Sequence, residues 1–216
     1  MKLLKKEIDI IFKKRIEKKD EDLFVMKYNV LSQKIKGLIK SFTVDAKRFK
    51  ELLLANEGKS YCKFYFLEKN NILNIGLSFS DNIDCPIIDN EDILYVLNND
   101  LFIESNSVNF NNLVNAFEIG IGSELEQLTK IKTSLVYYDF DIVDAYLATL
   151  GLHFPLNKLK FNMLQFRNED LDNIIIPCSI GKDSRISFCV HTLINRQDDK
   201  NVLVESDGYD LGNLRP

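Results

Sequence analysis

Between Ser41 and Phe79 the apolar positions change their period twice, and each change marks an element. Phe49, Leu52 and Leu53 step by three and four, the spacing of one helix face. They follow Thr43 and Asp45, whose side-chain oxygens suit the free N–H groups of a first turn, and Asn56, Glu57 and Gly58 close the helix with residues that tolerate a left-handed turn. Cys62, Phe64 and Phe66 then alternate with Tyr61, Lys63 and Tyr65. After the turn Lys69-Asn70-Asn71, the residues Leu73, Ile75, Leu77 and Phe79 alternate with Asn74, Gly76 and Ser78. Alternation on both sides of a tight turn predicts an antiparallel hairpin, with Phe64, Phe66, Ile75 and Leu77 buried against the helix.

A second passage of the same order begins near Ser134. Leu135-Val136-Tyr137-Tyr138 reads as a strand, and Asp139 and Asp141, 96 residues after Thr43 and Asp45, stand at the next helix start. Ile142, Ala145, Tyr146 and Leu150 carry that helix's apolar face, and Gly151 ends it. Leu159, Phe161 and Met163 alternate with Lys158, Lys160 and Asn162. A polar loop from Arg167 to Asn173, a strand Ile174-Ile175-Ile176 stopped by Pro177, and a last strand through Ile186, Phe188 and Val190 complete it. The shared order and caps predict an internal repeat.

Two helices precede both passages. Residues 2–20 show an amphipathic pattern with Leu4, Ile8, Ile11 and Phe12 on one side, and a second helix from about Glu21 carries the seam Phe24, Tyr28, Leu31, Ile35 and Leu38. The short link Lys19 to Asp22 predicts an antiparallel helical hairpin. The seam is the candidate partner-binding surface; Met26 and Val30 lie off it. If the sheet covers the seam the chain is a monomer, the reading we favour over a homodimer. Between the passages, Ile93 to Leu97 reads as a strand, Asn109 as the cap of a helix through Phe110, Leu113, Val114 and Phe117, and Gly120 and Gly122 as its break. Leu125 and Leu128 mark a further short helix, and Tyr209, Leu211 and Leu214 can pin the turn-rich tail. The fold class is therefore α+β: a helical hairpin over 1–40, a first strand–helix–hairpin half over 41–132, a second over 133–216, and mainly antiparallel sheet covered by helices.

Composition sharpens this only in places. The chain has 216 residues, 45% of them hydrophobic, enough for a proper core. The net charge of −4 conceals a division: residues 1–69 hold 18 Lys+Arg against 10 Asp+Glu, and residues 70–216 hold 10 against 22. Halves of opposite sign attract one another, a simpler reading than a polyanion site. Lys5, Lys6, Lys13, Lys14, Arg15, Lys18 and Lys19 surround the first helix with acids among them, so nucleic-acid binding there would be weak and salt-sensitive. Cys62, Cys85, Cys178 and Cys189 make no C-x-x-C pair, and Cys62 and Cys189 fall in strand patterns as small buried residues. No export signal or bilayer-length apolar run is visible, which predicts a cytoplasmic protein with no membrane contact.

Catalytic patterns are weak throughout. The acids Asp81, Asp84, Asp89, Glu91 and Asp92 lack the spacing and glycine of a helix–loop–helix calcium site. Gly181-Lys182-Asp183-Ser184 lacks the upstream glycine of a phosphate loop, Ile176 standing in its place, and no G-x-S-x-G elbow exists. His153 and His191 both read as solvent-edge residues; His191 projects opposite to Phe188 and Val190. No catalytic, cofactor or metal residue is assigned.

Phe42-Thr-Val-Asp-Ala-x-x-Phe-x-x-Leu-Leu53, Lys63-Phe-Tyr-Phe66 and the tail Tyr209-Asp-Leu-Gly-Asn-Leu-x-Pro216 resemble segments of a family of uncharacterised small bacterial proteins, whose usual Pro-Pro ending is here Arg215-Pro216. The resemblance implies a bacterial cytoplasmic origin and no particular activity. The functional expectation is a non-enzymatic protein-interaction module, an adaptor or immunity-type inhibitor that binds another protein. A hydrolase with paired carboxylates is the first alternative, and a weak nucleic-acid binder the second.

Overall fold

A computed structural model describes residues 16–84, 87–88, 91–153, 156–166, 182, 184–195, 203–206 and 213–215. Its elements are α1 (Lys18–Lys34), β1 (Ser41–Asp45), α2 (Ala46–Ala55), β2 (Tyr61–Lys69), β3 (Ile72–Ser80), β4 (Ile93–Asn98), β5 (Leu101–Glu104), α3 (Ser107–Ile119), α4 (Ile121–Thr129) and β6 (Leu135–Asp139). They are followed by α5 (Phe140–His153), β7 (Leu156–Gln165), β8 (Ile186–Asn195), β9 (Leu203–Glu205) and β10 (Asn213–Arg215). The protein is α+β, with antiparallel sheets and helices laid over them.

The hairpin forms as the alternation predicts. Phe64 faces Leu77 and Phe66 faces Ile75 across β2 and β3, and all four are buried. Asn70 and Asn71 both take positive φ, 55° and 60°, the left-handed pair that a two-residue hairpin turn demands and that asparagine tolerates. Asp45 caps α2 by accepting from Arg48 N–H at 2.8 Å, and Gly58, φ 96°, lets the chain reverse after it.

β1, β7, β8 and β9 make a four-stranded sheet in that order, and β10, β6, β2, β3, β4 and β5 a six-stranded one. The leading strand of each predicted half pairs with the hairpin of the other: β1 with β7 (Phe42 opposite Phe161), β6 with β2 (Val136 opposite Phe64). The sheets share one interior. Phe64 lies 5.7 Å from Phe161 and 5.4 Å from Phe188, ring centre to centre, and Phe42 stacks on Phe161 at 4.6 Å. α2 and α5 bring Phe49, Val143, Tyr146 and Leu147 to the same rings, around an apolar cavity of about 20 Å³. The outer faces are covered separately, by α1 and the Ile16 before it on the four-stranded sheet (Ile16 and Phe24 against Leu164 and Phe166) and by α3 on the six-stranded one (Phe110 over Tyr65 and Leu67).

Several expectations need correction. The link placed at Lys19 to Asp22 is helical, because α1 begins at Lys18. Its acids Asp20 and Glu21 suit a first helical turn, where free N–H groups favour negative charge. The first predicted helix lies outside the described residues apart from its end, as does the strand Ile174–Ile176. α3 is capped by Asn106, which accepts from Asn109 N–H at 2.8 Å, so the cap lies three residues before the asparagine that the pattern suggests. β5 and β9 escaped the pattern because each is only three or four residues long. The tail does join the sheet: β10 pairs with β6, Leu214 opposite Val136.

Candidate functional site

Three chemistry-bearing side chains converge between α1 and the four-stranded sheet. Along β8, Ile186, Phe188 and Val190 turn into the interior, so Cys189 and His191 turn outward, beneath α1. There Glu21 meets them from the first turn of the helix. His191 Nε2 lies 2.7 Å from Glu21 Oε1, Cys189 Sγ is 3.3 Å from the same oxygen, and Sγ and Nε2 are 3.5 Å apart. Asn162 Nδ2, from β7, reaches Oε1 at 3.4 Å. The three residues are all but sealed from solvent, at 1%, 0% and 2% exposure for Glu21, Cys189 and His191.

His191 is held from behind. Its Nδ1 donates to the carbonyl of Ser206 at 2.8 Å. Ser206 is itself fixed, its N–H donating to Thr192 O at 3.0 Å and its Oγ accepting from Thr192 N–H at 2.9 Å. Burial pushes the Glu21 carboxyl up, but hydrogen bonds and charge from His191, with help from Cys189, outweigh it and bring it to about 2. Load on the carboxylate is uneven. Oε1 receives every contact from the sheet, while buried Oε2 has no hydrogen-bond partner and only Lys18 Nζ at 3.7 Å.

Other carboxylates are drawn to cations. Asp92 Oδ2 stands 3.9 Å from the Lys63 ammonium, which is fully buried and also donates to Asp84 O at 3.1 Å. Asp81 pairs with Lys59 at 3.0 Å. Asp100, in the β4–β5 turn, accepts from Thr43 on β1 and from Lys158 on β7, and so ties the two sheets together at one margin. Burial works against that carboxylate, but Lys158 and Thr43 hold it below the ordinary range.

A groove of about 210 Å³ lies where β5 runs past α3. Val96, Ile103 and Leu113 form its apolar part, with Lys69, Asn98, Glu104, Ser105 and Asn109 around them. Its origin lies in the sheet. Gly76 lets the Phe110 ring press onto β3, since a Cβ there would meet Phe110 Cζ at 2.5 Å, and this anchors α3 over the sheet centre. β5, at the margin, is left uncovered: Phe102 turns inward at 7% exposure while Leu101 and Ile103, on the other face, stay exposed at 39% and 50%. Among the described residues no strand pairs with the far side of β5.

The predicted residues fall as follows. Phe24, Tyr28, Leu31 and Ile35 are buried by the chain's own strands, and Leu38 packs half-buried on the main core. The seam is thus core, while Met26 and Val30, off it, are exposed at 57% and 46%. His191 is not at a solvent edge; α1 covers the face of the sheet to which it projects. His153 closes α5, with its side chain outside the described residues. Of the basic residues, Lys18 pairs with Asp22 at 3.0 Å and Lys19 with Glu17 at 3.1 Å, and the earlier five lie outside the described residues. Glu21 escapes the sequence pattern, although it sits three residues before Phe24 on the same stripe. An acid on an apolar stripe needs a buried partner, and that is the available clue.

No family model, curated protein or solved structure matches the chain. Among the described residues, no helix is long and apolar enough to cross a membrane.

Proposed function

We propose that this chain is a non-enzymatic protein-interaction module, an adaptor or immunity-type inhibitor, and that its partner docks along the free edge of β5 and the groove beside it. The observation that carries the reading is Ile103: a large apolar side chain, half exposed, on an edge strand next to a groove of about 210 Å³. An unpaired strand edge offers its N–H and C=O groups to an added strand, and alternate side chains then read the pockets alongside. The competing enzyme reading has less support. Glu21, Asp92 and Asp100 each lie against a cation instead of a second carboxylate, and Cys189 and His191 are enclosed where no substrate reaches them. Pairing of Lys18 and Lys19 with neighbouring acids likewise weakens the nucleic-acid reading.

A bacterial cytoplasm is the compartment we infer, on the family resemblance and on buried, unbridged Cys62 and Cys189. We read the two halves as a duplication, supported by the twice-used order strand–helix–strand–strand and by the reciprocal pairing of β1 with β7 and β6 with β2. Asp45 and Asp139, each the last residue of its leading strand, are then the equivalent positions, in place of Asp45 and Asp141.

Affinity capture from the native host by wild type, Ile103→Asp and Met26→Asp, read by mass spectrometry, tests the docking edge. A protein held by wild type and Met26→Asp but lost by Ile103→Asp is the expected result. Equal capture by all three would remove β5 from the account, and no enriched protein with wild type would remove the module itself.

A further inference from the structure

We propose that Glu21, Cys189 and His191 form a metal site for Zn²⁺, which clamps α1 to the four-stranded sheet. Each residue offers one donor atom, and these atoms lie within 4.8 Å of one another. A thiolate, an imidazole nitrogen and a carboxylate oxygen are the donor types that a borderline cation such as Zn²⁺ prefers, and they come here from two elements otherwise joined by apolar contacts.

Geometry and burial both favour an ion at this point. With tetrahedral bonds of about 2.3 Å to sulfur and about 2.0–2.1 Å to nitrogen and oxygen, the donors of a zinc site stand about 3.3–3.6 Å apart. The observed separations are 3.5 Å from Cys189 Sγ to His191 Nε2, 3.3 Å from Sγ to Glu21 Oε1, and 2.7 Å from Nε2 to Oε1. Both distances to Oε1 must open, by about 0.6 Å from Nε2 and about 0.2 Å from Sγ, which a rotation of the carboxylate supplies. The His191 tautomer already suits a metal ligand. Ser206 O accepts from Nδ1–H, so once a metal displaces the proton shared by Nε2 and Oε1 the ring is neutral, with its Nε2 lone pair toward the other donors. Unsatisfied Oε2 of Glu21, 1% exposed as a residue, is a second acceptor for which a cation accounts.

Charge closes as well. One thiolate and one carboxylate neutralise one Zn²⁺, so the enclosed site carries no net charge when filled. On binding, the Cys189 thiol proton and the proton between Nε2 and Oε1 leave to solvent, and three protein–metal bonds replace bonds to waters of the hydrated ion, which keeps one water; no electron moves. Three protein ligands leave the fourth tetrahedral position to a water, and burial of all three side chains gives the ion a structural role. It would stabilise the helix that covers this sheet, independently of any partner at β5.

Cobalt(II) substitution tests this with a spectroscopic readout. Chelator-treated protein titrated with Co²⁺ should take up one equivalent and develop a thiolate-to-metal charge-transfer absorption, displaced by Zn²⁺. The band should survive in the triple variant Cys62→Ser/Cys85→Ser/Cys178→Ser, where Cys189 is the sole thiol, and vanish in Cys189→Ser. Zn²⁺ should raise the melting temperature of wild type and of the triple variant. Absence of the band in wild type, its loss from the triple variant, or its persistence in Cys189→Ser would each overturn the site. Should Cys189→Ser not fold, the wild-type and triple-variant spectra decide alone.

Discussion

The two outer faces of the sandwich are closed by helices of similar purpose and opposite chemistry. Over the six-stranded sheet, α3 is seated by an apolar fit: the Phe110 ring lies edge-on to Tyr65 at 5.4 Å, in a space that only Gly76 leaves open. Over the four-stranded sheet, α1 combines Phe24 with a buried carboxylate that must find His191 and Cys189. An apolar contact degrades gradually when trimmed, whereas a buried polar one leaves a stranded charge when a partner is lost. The face held by α1 is therefore the more conditional of the two, sensitive to protons, to thiol chemistry and to metal.

The largest effect lies in the interior that both faces share. Phe64 touches the rings of Phe49, Phe102, Tyr138, Phe161 and Phe188, and Phe64→Ala should cost about 3–5 kcal/mol in denaturant unfolding. Next come the helices. Phe110→Ala should lose a similar amount, at the lower end of about 3–5 kcal/mol, with no single second change restoring it. Glu21→Leu should cost about 3 kcal/mol by stranding His191, yet the double variant Glu21→Leu/His191→Leu should recover most of that loss in the absence of metal. Additive losses in the double variant would erase the contrast between the faces.

Smaller effects sharpen the picture at the margins. Ile103→Asp should change stability by no more than about 0.5 kcal/mol, since the side chain is already half in solvent. Asp100 gives the pH test. Its carboxyl is held below the ordinary 3.8, so its contribution is present above the unfolded value and lost as pH falls through the lower, folded one. Urea midpoints taken from pH 7 down to about pH 3 should therefore fall less steeply for Asp100→Asn than for wild type. Identical slopes would mean that the link from Asp100 to Thr43 and Lys158 does not join the sheets energetically.

Oligomeric state bears on which faces are free. Because the Phe24–Ile35 seam is core, light scattering should give one chain mass, 25.0 kDa, at low and at high salt. Twice that mass at both would identify an apolar contact between copies, for which the β5 edge is the first place to look.

How much of this is readable in advance follows from the range of each interaction. The β2–β3 hairpin is legible because its turn residues and its alternation are local. β5 is not, since four residues carry too little periodicity. Pairing of β1 with β7 is invisible, because register between strands more than a hundred residues apart is decided by the packed interior. The orientation of His191 can be read from Phe188 and Val190, but its burial cannot, since it depends on which element covers the outer face. Glu21 announces itself only as an acid on an apolar stripe. Its partners, 168 and 170 residues away, need the fold.

Amide hydrogen exchange on wild type and Glu21→Leu tests most directly the claim that a polar contact holds one helix and an apolar contact the other. Protection across residues 18–34 should collapse in the variant, while protection across 107–119 stays at the wild-type level. Equal protection of both helices in both proteins, or a parallel loss in the two helices, would contradict it.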